Sequence, residues 1–130
     1  MRNIFIRKST NEKRIFKIVS ELFPSASPSF SENDLYFLAS KGQEVVGFAH
    51  LILLEDRVLF QGLGVKEGYR KKGIGGRLVD TVVNFSEKIC KDVYLKVKPT
   101  NVEALNLYAK KGFTIKKLRN SYILQRNLCT

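Results

Sequence analysis

The sequence predicts one mixed α/β domain in which helices flank a single, mostly antiparallel sheet of about seven strands. Strand and helix patterns follow each other in the order strand, helix, strands, helix, strand, helix, strands. Short turns join three successive strand patterns between residues 35 and 65, which is typical of hairpins. At 130 residues and 44% hydrophobic content, the chain 1–130 is long enough for one core.

The first half of the chain predicts four strands and one helix. The strands are expected at residues 3–7, 35–39, 44–54 and 58–65. Ser9 and Thr10 favour a helix that begins near Asn11 and ends before Pro24. Its apolar stripe is Ile15, Ile18, Val19 and Leu22. Residues 24–31 are rich in serine and proline and predict a loop.

The second half predicts two helices and three strands. Apolar residues recur at steps of four and three over residues 73–89, which indicates an amphipathic helix. A strand is expected at 93–97. Thr100 and Glu103 have the spacing of a capping box, which predicts a helix from Asn101 to Gly112. Two strands, 113–118 and 121–128, complete the prediction, with a turn at residues 119–120.

The net charge of +11 is concentrated in the second half. Residues 1–65 carry 8 Lys/Arg against 7 Asp/Glu, whereas residues 66–130 carry 15 against 5. An anionic ligand, a polyanionic partner or a solvated basic surface would each explain this excess.

Composition also limits the chemistry and the location that we expect. His50 is the only histidine, and Cys90 and Cys129 lack the spacing of metal ligands. A zinc site, or a Cys or Ser nucleophile paired with histidine, is therefore not expected. The sequence shows no signal-peptide pattern and no apolar run long enough to cross a bilayer, so we expect a cytoplasmic protein without a membrane partner.

A basic, glycine-rich turn at residues 70–76 joins a strand to a helix. Glycines allow close backbone approach, and the unpaired N–H groups and dipole of a helix start favour an anion. Arg70, Lys71, Lys72 and Arg77 add positive charge. The turn fits neither the P-loop nor the dinucleotide fingerprint, because it lacks the hydroxyl residue and has Leu78 at the third glycine position. It predicts a phosphate site; a tight turn with solvated basic residues is the alternative.

Two motifs carry a family resemblance. Leu63-Gly64-Val65 followed by Arg70-x-x-Gly73-x-Gly75, and then Asn101-x-x-Ala104-x-x-Leu107-Tyr108-x-x-x-Gly112-Phe113, stand in this order with a strand between them. Together they resemble the acetyl-coenzyme A signature of the GNAT acyltransferase superfamily, in its ribosomal-protein and N-terminal-amine acetyltransferase branch. The resemblance is close over residues 44–118. It implies the GNAT-like fold, with fourth and fifth strands that splay apart.

The resemblance also implies how the donor would be held. Backbone N–H groups from Lys71 to Gly76, which include those of Lys72, Gly73, Ile74 and Gly75, would bind the pyrophosphate of acetyl-coenzyme A, and Arg70 would add charge. The pantetheine arm would pair with the backbone of Leu63 and Val65, where Gly62 and Gly64 suit a bulge. The N–H of Val65 would face the developing oxyanion.

Three further residues each have two interpretations. Asn101 would bind the pantetheine arm or cap a helix. Lys110 would reach the 3′-phosphate or remain solvated. Tyr108 would act as the general acid for the departing thiolate, or be a core aromatic on an amphipathic helix.

The residue that takes the proton of the acceptor amine is not identified. The fourth strand has no carboxylate, and Glu44, Glu55 and Asp56 are expected to be solvated turn charges, so a bound water or a neutral amine would serve instead. Tyr36 and Tyr122 would line the acceptor side or only pack. His50 is expected to be a hydrogen-bonded histidine within a strand.

The predicted function is transfer of an acetyl group from acetyl-coenzyme A to a primary amine, namely a protein or peptide N-terminus, a lysine or a small amine. No metal is expected, and the protein would be a monomer or a homodimer. The alternative is a non-catalytic module on the same fold that senses coenzyme A or associates with nucleic acid. Nucleic acid is the less expected partner, because no recognised motif for it is present.

Overall fold

The computed structural model describes residues 3–118 and 122–128. Within them the strands are β1 (Ile4–Ser9), β2 (Asp34–Lys41), β3 (Glu44–Leu53), β4 (Arg57–Val65), β5 (Asp92–Val97), β6 (Thr114–Leu118) and β7 (Tyr122–Arg126). The helices are α1 (Glu12–Leu22), α2 (Ile74–Lys88) and α3 (Val102–Lys110), with one 3-10 turn at Glu67–Tyr69. The predicted order of strands and helices is confirmed, with ends that differ by at most two residues.

The strands form one sheet in the order β1-β2-β3-β4-β5-β7-β6. Every neighbouring pair is antiparallel except β4 and β5, which are parallel. These two pair only where Arg57–Leu59 lies beside Asp92–Tyr94, and beyond that point no pairing joins them. The sheet is therefore mixed and mostly antiparallel, and its fourth and fifth strands splay apart as the resemblance implied.

Helices cover both faces of the sheet, because successive strand residues point to opposite sides. The side chains of α2 that are buried in the larger cluster are Ile74, Leu78, Val79 and Val82. On the opposite face, Ile15, Ile18 and Val19 of α1 pack on Tyr36, Leu38 and Phe48. This second layer leaves the loop after α1 on the same face as the side chains of His50 and Tyr36, whose rings stack.

The caps of two helices differ from the prediction. Asn11, rather than Ser9 or Thr10, caps α1, and its side chain accepts a hydrogen bond from the N–H of Arg14 at 3.1 Å. At α3 the predicted Thr100–Glu103 capping box is wrong, because Asn101 caps the helix through the N–H of Ala104 at 3.1 Å. Asparagine is at least as good a cap as threonine, and here it lies one residue nearer the helix.

Two further observations complete the comparison with the sequence. The predicted turn at residues 119–120 and Ser121 lie outside the described residues. Among the residues described, no helix combines the length and the apolar character that a membrane span needs.

Candidate active site

A cleft of about 690 Å³ lies between the end of β4, the turn before α2 and one side of α3. It borders the gap that opens where β4 and β5 stop pairing. Ten of the thirteen predicted site residues line it. They are Leu63, Gly64, Val65, Arg70, Lys71, Gly73, Gly75, Gly76, Asn101 and Lys110. The two sequence motifs, more than 25 residues apart in the chain, thus form opposite walls of one cleft.

The turn before α2 presents unpaired backbone donors. Lys71 and Gly73 have φ of 60° and 85°, and this left-handed conformation explains why glycine stands at position 73. Gly73 is the N-cap of α2 and makes no side-chain capping hydrogen bond, while Arg77 donates the first intrahelical bond to its carbonyl at 3.0 Å. The N–H groups of residues 74–76 therefore lack intrahelical acceptors, and together with the helix dipole they favour an anion.

The backbone at the end of β4 is oriented by its pairing with β3. The N–H of Lys66 donates to the carbonyl of Val46 at 2.8 Å, towards β3. Because the N–H groups of successive strand residues point to opposite sides, the N–H of Val65 points away from β3. That direction is the gap left by β5. Arg70 supports this end of the strand, since its Nε donates to the carbonyl of Val65 at 2.9 Å.

Four polar residues contribute to the opposite wall, namely Asn101, which caps α3, and Glu103, Asn106 and Lys110 within the helix. The Oδ1 atom of Asn101 is used as the helix cap, which leaves the NH₂ of the same amide as a donor. Both interpretations of Asn101 are therefore compatible with its position. Lys110 lines the cleft, whereas the next residue, Lys111, forms an ion pair with Asp80 at 2.9 Å.

Three predicted residues do not line the cleft. Lys72 is exposed outside it, and the side chain of Ile74 is buried in the core, with 1% of the residue exposed. Tyr108 is 8% exposed, and its ring packs edge-on against Phe60 and Phe113 with centroid distances of 5.9 and 5.4 Å. Burial raises the pKa of Tyr108 to about 12, so the phenol is protonated at neutral pH.

A second cavity of about 410 Å³ lies on the α1 face of the sheet. The loop after α1 forms one side of it, and β2, β3 and β4 form its floor. Phe23 lines both the cleft and this cavity. Gly62 and Leu63 are consecutive in β4, and the first lines the cavity whereas the second lines the cleft. The two spaces therefore adjoin at β4.

His50 lies at the floor of this cavity and pairs with the carboxylate of Asp34. The Nε2 atom of His50 is 2.6 Å from Oδ1 of Asp34, with 9% and 5% of the two side chains exposed. Ser29 and Ser31 hold the carboxylate through three hydrogen bonds of 2.8 Å. The ring of His50 stacks on Tyr36 with a centroid distance of 4.1 Å. Tyr36 in turn donates to the carbonyl of Ser29 at 2.9 Å.

Burial and hydrogen bonding set the charges of this group. Burial lowers the pKa of His50, and the hydrogen bond and charge of Asp34 oppose that shift without cancelling it. Burial raises the pKa of Asp34, but hydrogen bonds from the Ser31 backbone, His50 and the serine hydroxyls outweigh it and lower the pKa to about 2. At neutral pH the pair is thus a neutral imidazole beside a carboxylate. Burial raises the pKa of Tyr36 to about 12.

The remaining predicted residues have the following positions. His50 is hydrogen-bonded within a strand as expected, and Tyr36 lines the second cavity. Tyr122 lines neither space and packs against the larger core cluster. Glu44 bonds Lys66 and Tyr69, Asp56 bonds Arg57, and Glu55 is exposed. None of these three carboxylates lines the cleft or the cavity.

Sequence reasoning missed Asp34, Phe23 and Gln61. Asp34 is brought to His50 by the antiparallel register of β2 and β3, which places Tyr36 opposite His50. Gln61 is an extra residue in β4, because His50 lies opposite Gly62 while Leu51 lies opposite Phe60. A strand register and a bulge of this kind leave no local signal in the sequence. In the described part of the chain, no group of three or more His, Cys, Asp or Glu is placed to hold a metal ion.

The chain is similar in sequence to known proteins. Residues 6–113 match the model of the acetyltransferase (GNAT) family. N-alpha-acetyltransferase 30 of Xenopus laevis is 36% identical over 96 residues, which cover 69% of this chain and 35% of that protein. The chain spans between 35% and 46% of the length of three curated relatives that it matches.

Solved structures share the fold. The ribosomal-protein-S18-alanine N-acetyltransferase of Escherichia coli superposes with a TM-score of 0.86 at 18% identity, over 98% of this chain and 95% of that chain. A GNAT family acetyltransferase of Elizabethkingia anophelis, solved with acetyl-CoA bound, superposes with a TM-score of 0.81 at 19% identity, over 98% and 100%. With the family match over residues 6–113, we conclude that this chain belongs to the acetyltransferase (GNAT) family.

Proposed function

We propose that this protein transfers an acetyl group from acetyl-coenzyme A to a primary amine, and that the acceptor is the α-amine of a peptide or protein. The observation that carries the proposal is the cleft, where backbone donors of α2 face the gap between β4 and β5. The printed names of two relatives, an N-alpha-acetyltransferase and an alanine N-acetyltransferase of a ribosomal protein, support the choice of acceptor.

The residues of the cleft fit an elongated anionic thioester. The N–H groups of residues 74–76 would bind the diphosphate, and Arg70, Lys71 and Lys110 would add positive charge at the walls. Acetyl-coenzyme A supplies the activated acetyl group when bound. The N–H of Val65, which points into the gap, would donate to the thioester oxygen as negative charge develops there.

Tyr108 does not line the cleft itself, but it follows Leu107, which does, and its hydroxyl would act on the departing sulfur as a hydrogen-bond donor. Full proton transfer from a phenol of pKa about 12 to a thiolate whose conjugate acid has a pKa of about 8.5 is uphill by about 3.5 units. A hydrogen bond to the developing thiolate needs no such transfer and stabilises it by about 1.5–3 kcal/mol. The final proton on sulfur would then come from the surrounding water.

Calorimetry and a thiol-release assay test the proposal together. We expect acetyl-coenzyme A and coenzyme A to bind at one site, and coenzyme A thiol to be released when the protein meets peptides with a free α-amine. The same peptides with a blocked N-terminus are the control and should release none. Binding without thiol release for any amine would instead indicate a coenzyme A sensor. Duplex DNA that binds tightly with a steep salt dependence, in the absence of a coenzyme response, would favour the nucleic-acid alternative.

A further inference from the structure

We propose that His50, held by Asp34, is the general base that takes the proton of the acceptor amine. The proposal deepens the proposed function and rests on it. It identifies the cavity on the α1 face as the acceptor site. It also names a residue for the role of base, for which the fourth strand has no carboxylate. The cavity has a suitable position, because it adjoins the donor cleft across Gly62 and Leu63 and shares Phe23 with it.

The walls of the cavity offer no other base. Its lining consists of apolar, serine, glycine and glutamine residues together with Tyr36 and His50, and none of these residues is an acid, a lysine or an arginine. The polar side chain that β4 adds to the wall is Gln61, the bulged residue. An amide does not accept a proton near neutral pH. His50 is therefore the one group of the lining that can do so at physiological pH.

The contact with Asp34 decides which nitrogen of His50 is free. Beside a carboxylate at 2.6 Å, Nε2 carries the hydrogen and donates it, so the lone pair is on Nδ1. The Nδ1 atom makes no hydrogen bond to the described residues. It is not fully buried either, because Oε1 of Gln125 is the one fully buried side-chain polar atom without a partner among those residues. Nδ1 is consequently open to the cavity that His50 lines. Asp34 acts through His50 and is a positioning residue.

The charge state of the pair agrees with this role. Burial lowers the pKa of His50, so the imidazole is neutral and can accept a proton at neutral pH. The titratable groups that face it come from β2 alone, namely Asp34 and Tyr36, with pKa values of about 2 and about 12. The other walls, from β4 and from the loop after α1, contribute only uncharged residues. Asp34 and Tyr36 each keep one charge state between pH 5 and 9, so any change of charge in this group within that range belongs to His50.

The proton balance of the step is complete. An α-amine with a pKa of about 7.7–8.0 is roughly one-tenth neutral at pH 7, and this fraction can attack. The nitrogen lone pair forms the new bond to carbon, and the carbon–sulfur bond breaks with its electrons on sulfur. The nitrogen becomes strongly acidic as its bond forms, and its proton passes to Nδ1 of His50. His50 returns this proton to water.

A pH profile of kcat/KM for a peptide acceptor tests the base. In the wild type, log kcat/KM should fall with a slope of one below the pKa of the amine and with a slope of two below that of His50. His50→Gln should lower kcat/KM about 100-fold or more at pH 7 and keep a slope of one down to pH 5. Glu55→Gln, at an exposed turn outside both spaces, is the matched control and should behave as the wild type. Imidazole in the buffer should restore part of the activity of His50→Ala.

Nuclear magnetic resonance gives a second measurement that needs no turnover. Because His50 is the only histidine, its ring signals identify themselves. We expect ¹⁵N shifts of the Nε2–H form, a pKa below 6.5, and a change in the ring signals when an acceptor peptide binds. Asp34→Asn should lower the pKa of His50 further, because it removes the charge that opposes the effect of burial.

The outcomes separate the base from the function. A wild type that binds no acetyl-coenzyme A and releases no thiol with any amine refutes the proposed function, and the base with it. If the wild type is active and a folded His50→Gln variant has the same kcat/KM and the same pH slope, the proposed base is refuted and the proposed function stands. The same holds if a saturating acceptor peptide leaves the ring signals of His50 unchanged, or if imidazole does not restore the activity that a folded His50→Ala variant has lost. The wild-type spectra keep the test decisive even where a variant unfolds.

Discussion

At the scale of single residues, Tyr108 illustrates how burial determines what a side chain can do. Its ring lies between Phe60 and Phe113 and contributes to the core, while its hydroxyl is not fully buried and makes no hydrogen bond to any described residue. With a pKa of about 12, the phenol stays protonated throughout the range in which enzymes are assayed. The side chain thus remains a hydrogen-bond donor at every pH in that range.

Tyr108→Phe should lower turnover about 10- to 100-fold, because a hydrogen bond to a charged group contributes about 1.5–3 kcal/mol. The affinity for acetyl-coenzyme A and the unfolding temperature should change little, since the phenyl ring keeps its packing. Steady-state kinetics, calorimetry and a thermal melt measure the three quantities. Tyr94→Phe, a tyrosine outside both spaces, is the control. Equal turnover in the two variants would remove Tyr108 from the mechanism.

Gly75 tests the phosphate site. A Cβ atom there would lie 3.7 Å from Leu107, an ordinary contact, so a larger residue is compatible with the fold but projects into the cleft. Gly75→Val should abolish measurable binding of acetyl-coenzyme A while the protein stays folded. Gly68→Val, where a Cβ atom meets nothing within 4 Å and which lies outside the cleft, is the control and should bind normally. Calorimetry decides: unchanged affinity in Gly75→Val would mean that the diphosphate lies elsewhere.

At the scale of strands and helices, the end of α1 and strand β4 are fitted to each other. A Cβ atom on Gly64 would lie 2.9 Å from Leu22 and 3.0 Å from Phe23 and Phe48. The glycine that the sequence motif associates with the donor therefore also permits α1 to pack closely on β4. Through this contact, Phe23 is held between the cleft and the second cavity.

Helix α3 allows a capping role and a binding role to be separated at one residue. Asn101→Ala should destabilise the protein by about 1 kcal/mol through loss of the cap, and should also weaken acetyl-coenzyme A binding. Asn101→Ser restores a capping oxygen without the amide NH₂. We expect it to recover most of the stability in urea unfolding but not the affinity in calorimetry. Affinity that returns together with stability would show that Asn101 acts only as a cap.

At the scale of the whole molecule, sequence periodicity was sufficient for the order of strands and helices, because each of them has its own apolar pattern. The two motifs were sufficient to predict most of the cleft, since nearly all of its lining residues lie within or beside them, although Phe23 does not. The second cavity could not be predicted. It depends on the register that brings Asp34 to His50, on the bulge at Gln61 and on a loop without periodicity, and each of these is set by long-range packing.

The same pair makes the stability of the whole protein depend on pH. The pKa of His50 is lower in the folded state than its ordinary value of 6.5, so acidification below pH 6.5 protonates the unfolded chain first and favours unfolding. The pKa of Asp34 falls from 3.8 to about 2 on folding, so its contribution is present above pH 4 and is lost as the pH falls towards 2. That contribution is about 2 kcal/mol.

We therefore expect the free energy of unfolding to fall in two stages, from His50 as the pH drops below 6.5 and from Asp34 as it drops below 4. Urea unfolding at fixed ionic strength, repeated from pH 7 to pH 3, measures both. His50→Gln should be less stable than the wild type at pH 7. Its stability should not fall between pH 6.5 and 5, however, because the histidine is gone and carboxylates with an ordinary pKa of about 4 do not titrate above pH 5. Wild-type stability that is constant from pH 7 to pH 5 would contradict a lowered pKa of His50 and, with it, the neutral imidazole on which the proposed base depends.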